Sequence, residues 1–594
     1  MMPESSWRPP DSFPDISGAR WWSLDVESKD PHLSELGPGF IRGDAFIVGV
    51  AISCDGFSGY YPVRHAQGSN LAPNAVFDWL SDQAKNFRGE LYGANLLYDE
   101  EGLWHDGVIL HDDVQRRDVQ VVEPLLDEET AEGYSLEVLS RKYLGVGKDE
   151  VLLQEAASRY TKGYKDKRAR RPIPFDPKKE LWLLDPAYVG AYAEGDVDRP
   201  RRIYEKQIKQ IEDENLQGIL KLESSLIPIL LRMRILGVAI DLGQAEKLKE
   251  LLTREIDKYS LAIKNLVGFD PNVDSGPDMT RAYNIIHLKY PEFHIDQQLK
   301  FTSKGNASFV ADWYAAQADP LSRAVIRKKK LMTLRDDFVV GDILKSHVNG
   351  RIHAQFHQLR QDDRGTRSGR FSSTNPNLQQ VPARHDGCEP DCPSHCVAHI
   401  WGKEDPNWSQ EVRKLFVADE GKRFQKSDES QQELRLLVHL ANRCKLQGIG
   451  KVVEEYRKNP KTDYHNVVQK LVTETCGKNY KRRYIKDANF GLVYGMGFVK
   501  LCLKLKLSPA EASEFLAAYH GAIPFAKPLA TLVASTVATR GFLSTLLERR
   551  RRFNLWEPIP ESKEERTIRY RGLPLAEAQV RWRSGPSKRL SSYH

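Results

Sequence analysis

The segment Trp21-Trp22-Ser23-Leu24-Asp25-Val26-Glu27 alternates apolar and acidic side chains with a period of two. That period belongs to a β-strand, on which Leu24 and Val26 point to one face and Asp25 and Glu27 to the other. An apolar strand face needs a second layer to cover it, so this end of the chain is expected to be an α/β domain. Two carboxylates on the open face suit a hard divalent cation. Mg²⁺ takes oxygen ligands and is commonly held by one or two carboxylates together with substrate phosphate oxygens. An Asp-x-Glu strand is weak evidence alone, and most such pairs are simply solvated.

Two further segments sharpen it. Asn95-Leu96-Leu97-Tyr98-Asp99 and Tyr192-Ala193-Glu194-Gly195-Asp196 follow in that order and complete four carboxylates. The set resembles the three exonuclease motifs of the proofreading domains attached to DNA polymerases. The resemblance implies an RNase H-like fold over residues 1–205 and a 3′ to 5′ exonuclease acting on single-stranded 3′ ends. In it, Asp25, Glu27 and Asp196 would hold a pair of Mg²⁺ ions, Asp99 would support the second ion, and Tyr192 would orient the attacking water. Two metals a few ångströms apart clamp the entering and leaving oxygens of an in-line displacement, which is why carboxylates recur in such sites.

At 594 residues the chain has room for several cores. Its 28% charged and 40% apolar residues exclude a membrane or disordered class, and no apolar run is long enough to span a bilayer. Met1 to Pro10 lacks the basic-then-apolar pattern of a secretory signal, so a cytoplasmic protein with no membrane partner is expected. The net charge of +6 is compatible with a polyanion but too small to demand one. Basic runs at Lys165 to Arg171, Arg327 to Lys330 and Arg549 to Arg552 read, each by itself, as solvated faces. After residue 205 helical periods dominate, with Gly237 closing one helix and Val238 to Asp241 extended. Extended and turn-like segments are expected from Gly350 to about Asp428, and long helices from there to Gly541.

Within that second half, Gly365-Thr366-Arg367-Ser368-Gly369-Arg370-Phe371-Ser372-Ser373, followed by Asn375-Pro376-Asn377-Leu378-Gln379-Gln380-Val381-Pro382, resembles a signature of family A DNA polymerases. Asp428-Glu429-Ser430-Gln431-Gln432-Glu433-Leu434-Arg435 resembles motif A of the same family. Arg482, Lys486, Phe490 and Tyr494 recur every four residues and so form one stripe on a helix, cations leading and aromatics following. Cations suit a triphosphate and aromatic faces suit a base and sugar. With Gly495, the stripe resembles the family's nucleotide-binding motif B. The resemblance implies that Arg370 touches the primer terminus through the minor groove, that Asp428 coordinates catalytic Mg²⁺, and that Glu433 excludes a ribonucleotide hydroxyl. It also implies that His465 contacts a phosphate and that Phe490, being Phe, disfavours dideoxynucleotides. Several stretches read closest to phage-type members, which implies a phage-infected or prophage-carrying bacterial host.

The fold class expected is therefore multidomain α/β and α+β: the exonuclease domain, then an incomplete right-hand polymerase. Its thumb would occupy residues 206–345, a partial palm 346–440, the fingers 441–553, and a tail 554–594 leading toward the rest of the palm. Primer-template DNA and deoxynucleoside triphosphates are the implied partners. The family's His-Asp-Glu motif C, source of the second metal carboxylate, is not found among the 594 residues. Polymerisation by these residues alone is accordingly expected to fail, and a second chain carrying motif C is an expected alternative partner. Lastly, Cys388, Cys392, Cys396 and His399 have spacings within the range of a tetrahedral Zn²⁺ site on a loop.

Overall fold

The computed structural model describes residues 2–128, 130, 132–163, 175–289, 291, 300–301, 305, 307–317, 319–359, 365–382, 408–493, 496–505 and 507–553. The Cys388, Cys392, Cys396 and His399 cluster, Tyr494, the Lys165 to Arg171 run and the 554–594 tail lie outside them. What is described is a mixed α/β chain.

Five strands make the largest sheet among the described residues: β1 (Trp21–Lys29), β2 (Phe46–Cys54), β3 (Phe57–Pro62), β4 (Glu90–Gly93) and β5 (Gln115–Asp118). Their order is β3-β2-β1-β4-β5. The first three pair antiparallel, while β4 runs parallel to both β1 and β5. This places β1 at the centre, where alternation matters most: Leu24 and Val26 are buried, Asp25 and Glu27 only half so. Trp22 stacks on Phe87 at 3.9 Å, closing the core beneath the helix Pro73–Asn86.

The helix Pro186–Asp213 covers the acidic side of the sheet. Asp185 caps it by accepting the Ala187 N–H at 2.9 Å, and Pro186 fits the first turn, where its missing N–H costs nothing. Val189, Ala193 and Val197, spaced by four, lie in one core with Ala51 and Tyr60, and the same helix carries Asp196 inward. The next helix, Gln217–Leu236, stops at Gly237, whose φ of +57° favours glycine. A Cβ there would also stand 2.6 Å from the Ile352 carbonyl, because Val238–Ala239 pairs directly with Arg351–Ile352.

Beyond it, Leu242–Val267 and Pro320–Thr333 form a helical core with the π-helical turn Leu334–Leu344, centred on Leu248, Leu252, Leu331 and Val339. A second helical core, built on Leu434, Val468, Ile485, Phe515 and Tyr519, occupies residues 432–540. A hairpin, Phe542–Ser544 with Arg550–Arg552, follows.

Two expectations are corrected. The stretch from Gly350 to Asp428 is not wholly extended: Trp408–Lys414 is a helix with Trp408 and Val412 buried. Residues 421–430 form no strand and are exposed throughout, Phe424 at 61%. Lys422, Arg423, Gln425 and Lys426 supply no apolar face to bury, in keeping with that exposure. The Arg549 to Arg552 run is not a solvated face, since Arg549 and Arg551 are buried in ion pairs. No single helix among the described residues is long and apolar enough to cross a membrane.

Candidate active site

The open face of β1 is where the sequence-predicted carboxylates meet. Asp99 arrives from a turn that another residue dictates. Asp118, at the end of β5, accepts the N–H groups of Asn95 at 3.1 Å, Leu96 at 2.8 Å and Gln120 at 2.8 Å. It thereby fixes Asn95 in the left-handed region and starts the helix Leu96–His105 so that Asp99 faces β1. Asp99 Oδ1 accepts the Val26 N–H at 3.3 Å. The buried Glu100 and Arg116 pair, bidentate at 2.7 Å, clamps the same helix to β5.

Asp196 comes from the covering helix and forms an ion pair with Lys148. The Lys148 ammonium also donates to the Tyr192 hydroxyl at 3.2 Å and lies 5.1 Å from that ring. The Lys148 backbone N–H donates to Glu137 at 2.6 Å, which anchors the loop carrying it. Glu194, two residues before Asp196, points elsewhere: it accepts from Trp7 Nε1 at 3.1 Å and the Tyr60 N–H at 3.0 Å.

Four carboxylates crowd around Lys148, with Arg199 3.9 Å from Asp196, and the electrostatic signature is strong. Burial, then the charge of Asp196, pushes Asp25 up to about 7, with Lys148 opposing. Burial, then Asp25 and Asp196, raises Glu27 well above the carboxylate range. Asp99 is raised in the same way by burial and Asp25. Burial raises Asp196 too, against the pull of Lys148. Such a set favours added positive charge, because each carboxylate opposes ionisation of the next.

Do the residues fit Mg²⁺? Asp99 Oδ2 is buried and receives no hydrogen bond. All the donors are hard oxygens, as the ion requires. Among the described residues no three carboxylate, imidazole or thiol groups converge into a ready ligand set in this conformation, Lys148 standing among them instead. The donor chemistry and the orphaned oxygen fit the cation, with Lys148 as the resident counter-charge. Sequence reading missed Lys148 and Asp118; neither lies in a motif, and only the fold brings Lys148 to residues 44 and 48 positions away.

The second group of expected residues is differently arranged. Arg370 and Glu433 form an ion pair with each other. Arg482 donates to Asn466 Oδ1 at 2.7 Å and to Asp463 at 2.5 Å, and Asp463 caps the helix Tyr464–Cys476 through the His465 and Asn466 N–H groups. His465 is buried, while Arg482 and Lys486 lie exposed on the helix Arg482–Val493, which also contains Phe490. Burial lowers the His465 pKa, and the Arg482 and Lys486 charges add to that. Asp428 stands in the exposed run 421–430, apart from any ligand set among the described residues.

Comparison with known proteins bears on this second half. The model of a family described as DNA polymerase family A matches residues 243–570. The DNA-directed DNA polymerase of Pseudomonas phage M6 is 31% identical over 602 aligned positions, covering 92% of this chain and 83% of that protein. The chain belongs to DNA polymerase family A. Within the family's wider reach, the DNA polymerase DpoZ of Vibrio phage phiVC8 is 25% identical, covering 91% of this chain and 83% of its own length. Among solved structures, the POL domain of Pol1 from M. smegmatis, in complex with DNA primer-template and dNTP, shares the fold with a TM-score of 0.64 at 19% identity, covering 97% of this chain and 82% of that one. The family match begins at residue 243, so the carboxylate site on β1 lies before it.

Proposed function

We propose that this family A polypeptide acts in phage DNA replication as a DNA-directed DNA polymerase that also carries a 3′ to 5′ exonuclease. The observation behind the second activity is the mutual electrostatic influence of Asp25, Glu27, Asp99 and Asp196 beside a five-stranded sheet whose order and strand directions suit an RNase H-like domain. Asp25, Glu27 and Asp196 would hold Mg²⁺, with the orphaned Asp99 oxygen beside them. Mg²⁺ bound there supplies a Lewis acid for the phosphoryl oxygens and lowers the pKa of water. The chain's own groups do the rest. Tyr192, its hydroxyl fixed by Lys148, orients the nucleophilic water. Lys148 balances the carboxylates before substrate arrives and offers a cation to the incoming phosphodiester. A single strand bound there would be held through its phosphates, with salt-sensitive affinity and little sequence preference.

In the polymerase half, Arg482 and Lys486 would bind the triphosphate and His465 would add a hydrogen bond. Phe490 and Tyr494 would face base and sugar, Glu433 the sugar 2′ position and Arg370 the primer terminus. The thumb, partial palm and fingers would occupy residues 206–345, 346–440 and 441–553. Asp428 would contribute one metal carboxylate, and the second would come from outside these 594 residues. Given Mg²⁺ and a labelled primer-template, the 594-residue chain should shorten single-stranded 3′ ends and fail to extend the primer. Failure to shorten them in Mg²⁺ would remove the exonuclease reading; robust extension would show that the residues given suffice for polymerisation.

A further inference from the structure

Behind the exposed cations of the Arg482–Val493 helix, three buried side chains form a hydrogen-bonded line. The Tyr519 hydroxyl, in the helix Pro509–Ala522, donates to Asn489 Oδ1 at 2.7 Å, and Asn489 Nδ2 stands 2.9 Å from His465 Nδ1. Asn489 is fully enclosed, and Tyr519 and His465 are nearly so. An amide nitrogen can only donate, so His465 Nδ1 must accept, and a neutral ring then carries its proton on Nε2. The reverse wiring, with the amide turned and the Tyr519 oxygen accepting, would put the ring proton on Nδ1 and make Nε2 an acceptor. That would repel the phosphate oxygens which the neighbouring Arg482 and Lys486 are there to attract.

We propose that Asn489 and Tyr519 are positioning residues that hold His465 as its neutral Nε2–H tautomer, so that it meets the nucleotide triphosphate as a fixed hydrogen-bond donor. The proposal rests on the reading that His465 faces the triphosphate. It assigns a task to two residues outside the exposed stripe: Asn489 occupies the buried side of the helix that presents Arg482 and Lys486 outward, and Tyr519 buttresses it from the next layer. The His465 backbone N–H donates to the Asp463 cap at 2.8 Å, which fixes the start of the helix that carries the ring.

The test uses the full chain labelled with ¹⁵N-histidine. The His465 ring signals, assigned by their loss in His465→Gln, should show the Nε2–H pattern in the unsubstituted chain. Tyr519→Phe, and independently Asn489→Ser, should shift them toward the Nδ1–H form. Calorimetric titration with dCTP and Mg²⁺ should show binding weakened about fivefold to tenfold by Tyr519→Phe, the scale of one net hydrogen bond. In the His465→Gln background Tyr519→Phe should add nothing, which a purely structural role would not produce. An Nδ1–H ring in the unsubstituted chain, or a ring unmoved by both variants, overturns the relay. If the ring follows the prediction but dCTP binding is indifferent to His465→Gln, the relay stands and the triphosphate reading falls.

Discussion

Single side chains carry opposite electrostatic loads in this molecule. His65 is buried, with Nε2 2.7 Å from the Tyr60 hydroxyl and Nδ1 2.9 Å from the Leu184 carbonyl, and burial pushes its pKa down to about 4. The unfolded chain therefore binds this proton first, near pH 6.5, so His65 costs stability as the pH falls from about 6.5 to about 4. The cost reaches about 3 kcal/mol at the acid end. Comparing melting curves of the unsubstituted chain and His65→Gln should show a difference that grows over that window and is flat above pH 7; a difference independent of pH would contradict the assignment. Lys148 is the converse case, a cation held by carboxylates. Freed of it, Asp196 should bind a divalent ion more readily, so Lys148→Met should tighten Mn²⁺ binding about tenfold by calorimetry, a change of about 1.4 kcal/mol. Weaker binding would mean that Lys148 organises the carboxylates instead of competing for them. The four acidic residues and Tyr192 were legible because each sits in a local motif; Lys148, His65 and Asp118 were not, since each acts across the fold.

At the scale of elements, periodicity served well where a helix or strand has one buried face. The alternation in β1 and the Val189, Ala193, Val197 spacing over the sheet are of that kind. It served less well between Gly350 and Asp428, where the helix Trp408–Lys414 stands in a stretch read as extended and turn-like. The Tyr464–Cys476 helix depends on its cap: Asp463 accepts two backbone N–H groups and pairs with Arg482. Asp463→Ala should cost about 1–2 kcal/mol in denaturant unfolding, and Asp463→Asn, which keeps the cap, distinctly less. Equal losses would assign the effect to the ion pair and not to the helix end.

Across the whole molecule the most consequential misreading was the arginine run. Arg549 pairs with Glu223, Arg550 with Glu214, and Arg551 and Arg552 with Glu128, so the hairpin after the last helix is fastened to the sheet-bearing half more than three hundred residues earlier in sequence. Charge runs are legible in sequence, but partners so distant are not. Gly369, beside Arg370, lies so near that a Cβ would stand 2.5 Å from Arg549 Nε, which joins the Arg370 loop to this clasp. Removing one buried partner strands the other charge, so Glu223→Ala should destabilise by about 3–5 kcal/mol, whereas exposed Glu246→Ala should change stability by less than about 1 kcal/mol. Comparable small effects would show the clasp to be solvated. The proposed exonuclease site on the acidic face of β1 is tested most directly by trimming of a 3′-labelled single strand in Mg²⁺ by the unsubstituted chain and by the Asp25→Ala/Glu27→Ala variant at matched DNA binding. Shortening is expected from the first and none from the second; undiminished shortening by the variant would place the activity elsewhere.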